Sequence, residues 1–215
     1  MDIKDAKINF LGDSITFGCG TSCIEKGFVK LVESKTGAVC RNYGMGGTRI
    51  ASQPTGEYIG NSFCERFDRM DNDANCIIVF GGTNDFGHGD APIGKFEDRT
   101  DSTFYGALHF LFEGLINKYP TAKIGVLTPL HRCNEDNPRG DGGKPADVAV
   151  LSVYVDIIKE VAKYYSLPVL DLFACSGIQP RVPVQKQLYM PDGLHPNDAG
   201  NEILSEKIIG FIGAL

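Results

Sequence analysis

Residues 76–80 read Cys-Ile-Ile-Val-Phe, an unbroken apolar run that closes on Gly81-Gly82. A strand with one wet face alternates apolar and polar residues. A run without alternation suits a parallel strand covered on both faces. That environment exists where helices pack on both sides of a sheet. The rest of the chain is punctuated accordingly. Strands are expected at 7–11, 38–43, 76–80, 124–127 and 167–170. Helices are expected at 28–35, 61–70, 102–118 and 147–164, and from Asn197-Asp198 to Leu215. Phe28, Leu31 and Val32 share one face of the first of these, Phe63 and Phe67 share one face of the second, and Asn197 and Asp198 are good caps for the last. Irregular segments are expected at 86–101, 131–146 and 174–191, where Gly, Pro, Asp and Asn accumulate. The five strand–helix alternations imply a parallel sheet with helices on both faces. No linker or repeat divides residues 1–215, which are expected to form one domain.

In such sheets ligands bind beyond the carboxyl ends of the strands. The first strand stops at Gly12-Asp13-Ser14, the second at Gly44-Met45-Gly46-Gly47, the third at Gly81-Gly82-Thr83-Asn84-Asp85, and Asp192-Gly193-Leu194-His195 precedes the last helix. All four groups therefore fall on one edge. A serine hydroxyl is a weak nucleophile until a base takes its proton, and His195 is a suitable base. A carboxylate three residues earlier, Asp192, can hold that imidazole in one tautomer. A tetrahedral intermediate needs donors aimed at its oxyanion, which a glycine N–H and the Asn84 amide can supply.

These blocks resemble the GDSL or SGNH esterase/lipase superfamily: Gly12-Asp13-Ser14-Ile15-Thr16 its first block, Asn42-Tyr43-Gly44-Met45-Gly46-Gly47 its second, Gly82-Thr83-Asn84-Asp85 its third and Asp192-Gly193-Leu194-His195-Pro196-Asn197 its fifth. Ile15 replaces the Leu of the family's name, and the blocks follow family order along nearly the whole chain. The resemblance implies a flavodoxin-like three-layer α/β/α sandwich with a five-stranded parallel sheet. It implies Ser14 as nucleophile, His195 as base, Asp192 as its orienting partner, and an oxyanion hole made by Ser14 N–H, Gly47 N–H and the Asn84 amide. Gly47 is preferred to Gly44 and Gly46 because it stands five residues after Asn42, the family's usual offset. No metal or organic cofactor is implied, since hydroxyl, imidazole and amide donors suffice.

Phe86, His88, His131 and Tyr189 are candidates for substrate contact, with Tyr58, Phe63 and Phe96 as further candidate walls; His109 sits in an apolar helix and is expected to pack there. Asp13 and Asp85 are expected to bond nearby backbone and not to act as acids. The substrate expected is a small-molecule carboxylic ester, with a short acyl group such as acetyl on a carbohydrate or other small alcohol, because segments 86–101 and 131–146 are polar and glycine-rich. The alternatives are a lysophospholipase- or thioesterase-type acyl hydrolase for longer chains and, in another class, a non-catalytic nucleotide- or ligand-binding protein. The glycine spacings speak against nucleotide binding: Gly44-x-Gly46 is followed by Arg49 where a third glycine belongs. An α/β-hydrolase would need a serine between glycines in a G-x-S-x-G elbow, and none occurs.

A formal net charge of -6 argues against nucleic acid as a partner. No run approaches the ~18 apolar residues of a membrane span. Met1-Asp2-Ile3-Lys4-Asp5 has no leader character, so a cytoplasmic protein is expected, secreted only if a leader has been removed ahead of Met1. The seven cysteines lack paired spacing and are expected as free thiols, with a Cys19–Cys23 bridge as the alternative.

Overall fold

The apolar runs pair as five parallel strands, β1 (Lys7–Gly12), β2 (Val39–Gly44), β3 (Cys76–Phe80), β4 (Lys123–Leu127) and β5 (Val169–Leu170), in the order β2-β1-β3-β4-β5. The computed structural model describes residues 1–53 and 59–215. Between the strands lie α1 (Ser14–Phe17), α2 (Phe28–Thr36), α3 (Phe63–Arg66), α4 (Thr83–Gly87), α5 (Phe104–Lys118) and α6 (Leu151–Tyr164), and after β5 come α7 (Leu172–Cys175), α8 (Pro183–Tyr189) and α9 (Asp198–Ala214). The three-layer, flavodoxin-like architecture is therefore as expected.

Alternation along the strands sorts the core into two layers. Leu11, Ile77, Val79, Ile124 and Val126 point to one face, where α5 and α6 bring Leu108, Leu111, Phe112, Val155, Ile158 and Val161. Ile8, Phe10, Ile78, Phe80 and Leu127 point to the other, under Phe28 and Val32 of α2 and Leu204, Ile208 and Ile212 of α9. The central strand β3 is buried at every position, as its unbroken apolar run requires.

The register sets one level for the carboxyl edge. Gly44 lies beside Gly12, Gly12 beside Phe80, Phe80 beside Leu127 and Leu127 beside Leu170. The strand order reverses at β1, with β2 added on one side and β3 on the other, so the β1/β3 boundary is the switch point of the sheet. The first two strands end in glycine for a steric reason. A β-carbon on Gly12 would strike the Thr16 side chain, and one on Gly44 would strike the Phe17 backbone. Only a bare backbone lets α1 begin directly above the strand ends.

Several expected elements start late or break. The 61–70 helix is a single turn, α3, followed by a tighter turn over Phe67–Arg69. Ser62 and Glu65 close a capping box at its start. The 147–164 helix begins only at Leu151, because Val148 N donates to Pro138 O (2.8 Å) and Leu151 N to Glu135 O (2.9 Å), which draws that stretch into the 131–146 excursion. The irregular 174–191 segment contains α8, and Phe86 and Gly87 close α4. β5 keeps only Val169 and Leu170 of the expected 167–170, although Pro168 O still accepts from Val126 N at 3.0 Å. Among the described residues no helix is long and apolar enough to cross a membrane. All seven cysteines are free, Cys19 and Cys23 included.

Candidate active site

Asp13 breaks β1 into α1. Its side chain accepts the Ile15 N–H at 2.9 Å, capping a four-residue helix whose first residue is Ser14. The first N–H groups of a helix have no intrahelical acceptor, so the Ser14 N–H is not used up within the turn. Ser14 is nearly buried, 7% exposed.

His195 reaches Ser14 from 181 residues away, on the turn before α9 that also carries Asp192. Asp192 Oδ1 accepts the backbone N–H groups of Leu194 and His195, both at 2.8 Å, and Oδ2 accepts His195 Nδ1–H at 2.7 Å. The carboxylate only accepts, so the imidazole proton sits on Nδ1 and Nε2 is bare. Ser14 Oγ lies 3.0 Å from that Nε2 and donates to it. Gly193 makes the turn possible with φ +81, and its carbonyl is held by Cys133 N at 2.9 Å. Burial pushes the Asp192 carboxyl up, but the His195 and Leu194 N–H bonds and the ring outweigh it and hold the group below its ordinary range.

Asn84 is the second residue of α4, just beyond β3. Its Nδ2 donates to Thr48 O at 2.9 Å, which ties the β3 turn to the glycine loop after β2. That loop carries Gly47 at φ +73, and the β-carbon position of Gly46 lies 3.9 Å from Ser14 Cβ. Ser14, the glycine loop and Asn84 thus leave three neighbouring strands at one level.

Two buried carboxylates flank the site. Burial raises the Asp13 carboxyl to about 6, and it does the same to Asp85. Asp85 accepts Ile50 N at 2.9 Å and Ala51 N at 3.0 Å, so it organises the loop after Gly47. Both thus bond backbone, as expected of them.

The remaining candidates are dispersed. Phe86 is fully buried, edge-on to Tyr154 and under the Arg132 guanidinium, so it belongs to the core and not to a substrate wall. Phe63 is also core, beneath Arg66. Phe96 packs edge-on against His109 and Tyr164, and that cluster holds His109 as expected. His131 pairs with Glu135 at 2.8 Å, lies against Phe173 and lines a separate cavity with Ser176 and Gln185. Tyr189 ends α8 and packs on the core under α9. His88 stands beside Asn84 and Arg49. Tyr58 lies outside the described residues. Among the described residues no cluster of His, Cys, Asp or Glu could hold a metal ion.

Three buried cations, Arg66, Arg132 and Lys144, support the site without having been expected there. Arg66 donates to Gly12 O (2.5 Å), Tyr43 O, Asn61 O (3.1 Å) and Thr48 Oγ1 (3.2 Å), clamping the ends of β1 and β2 under the site. Burial lowers its guanidinium to about 10, still charged at neutral pH. Arg132 bonds Thr83 and Asp141, while Lys144 Nζ bonds Asp85 O at 3.0 Å and Tyr154 OH at 3.1 Å. The polar excursion is therefore pegged onto α4. The available signal was an arginine set among the aromatic residues of 61–70 and two cations in a segment rich in glycine.

The family model for the GDSL-like lipase/acylhydrolase family matches residues 10–203. One solved structure is similar at 33% identity and TM-score 0.86, covering 100% of this chain and 99% of its own. A protein from Lactobacillus plantarum is similar at 27% identity and TM-score 0.84, covering 99% and 98%. A carbohydrate acetylesterase family member from Sinorhizobium meliloti shares the fold at 16% identity and TM-score 0.67, covering 97% and 98%. No curated protein matches the sequence significantly.

Proposed function

The chain belongs to the GDSL-like lipase/acylhydrolase family and is a hydrolase of ester bonds, and from that premise we propose that it is a serine esterase working through an acyl-enzyme on Ser14. One observation carries the reading: the continuous hydrogen-bond line Asp192 Oδ2, His195 Nδ1–H, His195 Nε2, Ser14 Oγ–H, at 2.7 and 3.0 Å. Ser14 Oγ attacks the ester carbonyl as His195 Nε2 takes its proton. The carbonyl oxygen becomes an oxyanion facing Ser14 N–H, Gly47 N–H and the Asn84 amide. His195 then gives its proton to the departing alkoxide, and the alcohol leaves. Water repeats the sequence on the acyl-enzyme, releasing the acid. Asp192 stabilises the imidazolium formed in each half.

The substrate in this reading is a short acyl ester, acetyl foremost, of a carbohydrate or other small alcohol. Two features support it. Phe86, the aromatic nearest Asn84 in sequence, is turned into the core. The 131–146 excursion is bound down on α4 by Arg132 and Lys144, not raised as an apolar wall. The residues 1–215 act as one such domain, and the free thiols suit a reducing cytoplasm. A series of nitrophenyl esters of increasing acyl length tests both levels. Turnover is expected to be highest for acetyl or propionyl and lost in Ser14→Ala. Preference for octanoyl or longer would replace the substrate class, and full activity of Ser14→Ala would remove the esterase mechanism.

A further inference from the structure

Asn84 and His88 lie four residues apart on one turn, with His88 N donating to Asn84 O at 3.0 Å. Their side chains meet as well: His88 Nε2 lies 3.2 Å from Asn84 Oδ1. On its far side, His88 Nδ1 lies 2.7 Å from Arg49 Nη2, which also reaches the His88 carbonyl at 3.2 Å. Arg49 is two residues past Gly47, so this chain of contacts starts and ends in the loop above β2.

The two ends of the chain have fixed polarity. A guanidinium only donates, so His88 Nδ1 accepts from Arg49 and the ring proton sits on Nε2. A backbone carbonyl only accepts, so the atom of Asn84 facing Thr48 O is the amide nitrogen. Everything between follows: Arg49 Nη2–H to His88 Nδ1, His88 Nε2–H to Asn84 Oδ1, Asn84 Nδ2–H to Thr48 O. A carboxamide rotated by half a turn would set oxygen against the Thr48 carbonyl and N–H against His88 Nε2–H, losing both bonds. Burial and the neighbouring Arg49 charge push the His88 imidazole down, in keeping with a neutral ring.

We infer that His88 is a positioning residue, locking the Asn84 carboxamide so that the second Nδ2–H, and not the carbonyl oxygen, faces the oxyanion. The inference rests on the reading of Asn84 as an oxyanion donor. An unlocked amide would present its oxygen part of the time, and a carbonyl dipole aimed at an oxyanion opposes the reaction instead of assisting it. Because the donor matters only once charge develops, the lock acts on kcat more than on KM.

His88→Leu removes both ring nitrogens, whereas His88→Gln keeps an acceptor for Arg49 and a donor for Asn84. With nitrophenyl acetate, His88→Leu is expected to lower kcat by about 10- to 100-fold, less than the roughly 10²–10³ expected for Asn84→Ala. KM is expected to stay within about twofold, as for an interaction confined to the transition state. His88→Gln should recover most of that loss. In an Asn84→Ala background, His88→Leu should cost less than about twofold further, because the coupled partner is gone. Independently of turnover, nitrogen NMR of the wild-type protein should show His88 protonated at Nε2 and bare at Nδ1. Wild-type kcat in His88→Leu, an undiminished loss in the Asn84→Ala background, or an Nδ1-protonated His88 would each overturn the inference. If His88→Leu fails to fold, the NMR measurement still decides. An inactive Ser14→Ala beside a silent His88→Leu would sink only this inference. An active Ser14→Ala would sink the esterase reading and leave the His88 tautomer to be judged by NMR.

Discussion

Asp13 shows how a side chain can be indispensable to a site without taking part in its chemistry. It caps the turn that carries Ser14, and complete burial lifts its carboxyl from 3.8 to about 6. A folded-state value raised above the unfolded one means that the ionised group opposes folding. That opposition is fully present above pH 6 and fades as pH falls toward 3.8. The rise from 3.8 to about 6 corresponds to a penalty of roughly 3 kcal/mol at most. Asp13→Asn keeps an oxygen for the Ile15 N–H and discards the charge. The melting temperature of Asp13→Asn relative to wild type should therefore be most favourable near pH 8 and fall by pH 5. A pH-independent difference would show that Asp13 is not a strained carboxylate. The Ser14, Asn84 and His195 positions were legible because each is a turn residue beside an apolar run or a helix start. The burial of Asp13 was not, since an aspartate in a turn reads the same whether wet or dry.

The elements are joined beneath the site by cations that sequence patterns assign to the surface. Arg66 ends α3 and spans the carbonyls of Gly12 and Tyr43, at the ends of β1 and β2. These are the residues whose placement decides whether Ser14 and the glycine loop share a level. Arg66→Met preserves much of the side-chain bulk but leaves buried carbonyls without donors, and each such loss costs about 1–3 kcal/mol. Urea unfolding should show a loss of about 2–4 kcal/mol, allowing for partial relaxation. A change below about 1 kcal/mol would mean that the strand ends hold themselves. Periodicity could not announce this role, because an arginine bordering the Phe63/Phe67 face of a longer amphipathic helix could equally well carry its head into water. The same ambiguity hid the late start of α6, whose first expected turn spends its backbone on the excursion at Pro138 and Glu135.

For the whole molecule, strand order decides function more than any single element does. The order β2-β1-β3-β4-β5 puts the ends of β2, β1 and β3 side by side, and α9 returns from the far end of the chain to seat the Asp192–His195 turn against them. The sheet and its carboxyl-edge blocks were readable from the continuous strand 76–80 and the turn residues that follow each run. The aromatic candidates were not, because Phe86 in a loop and Phe86 in a core have the same local sequence; only packing against Tyr154 separates them. In the proposed mechanism Ser14 carries the acyl group. Acid quenching during turnover of nitrophenyl acetate, followed by proteolysis and mass spectrometry, should find one acetyl group on the peptide containing Ser14, and none on Ser14→Ala. Acetylation of another residue, or turnover with no acetyl on Ser14 in a burst-phase quench, would contradict it.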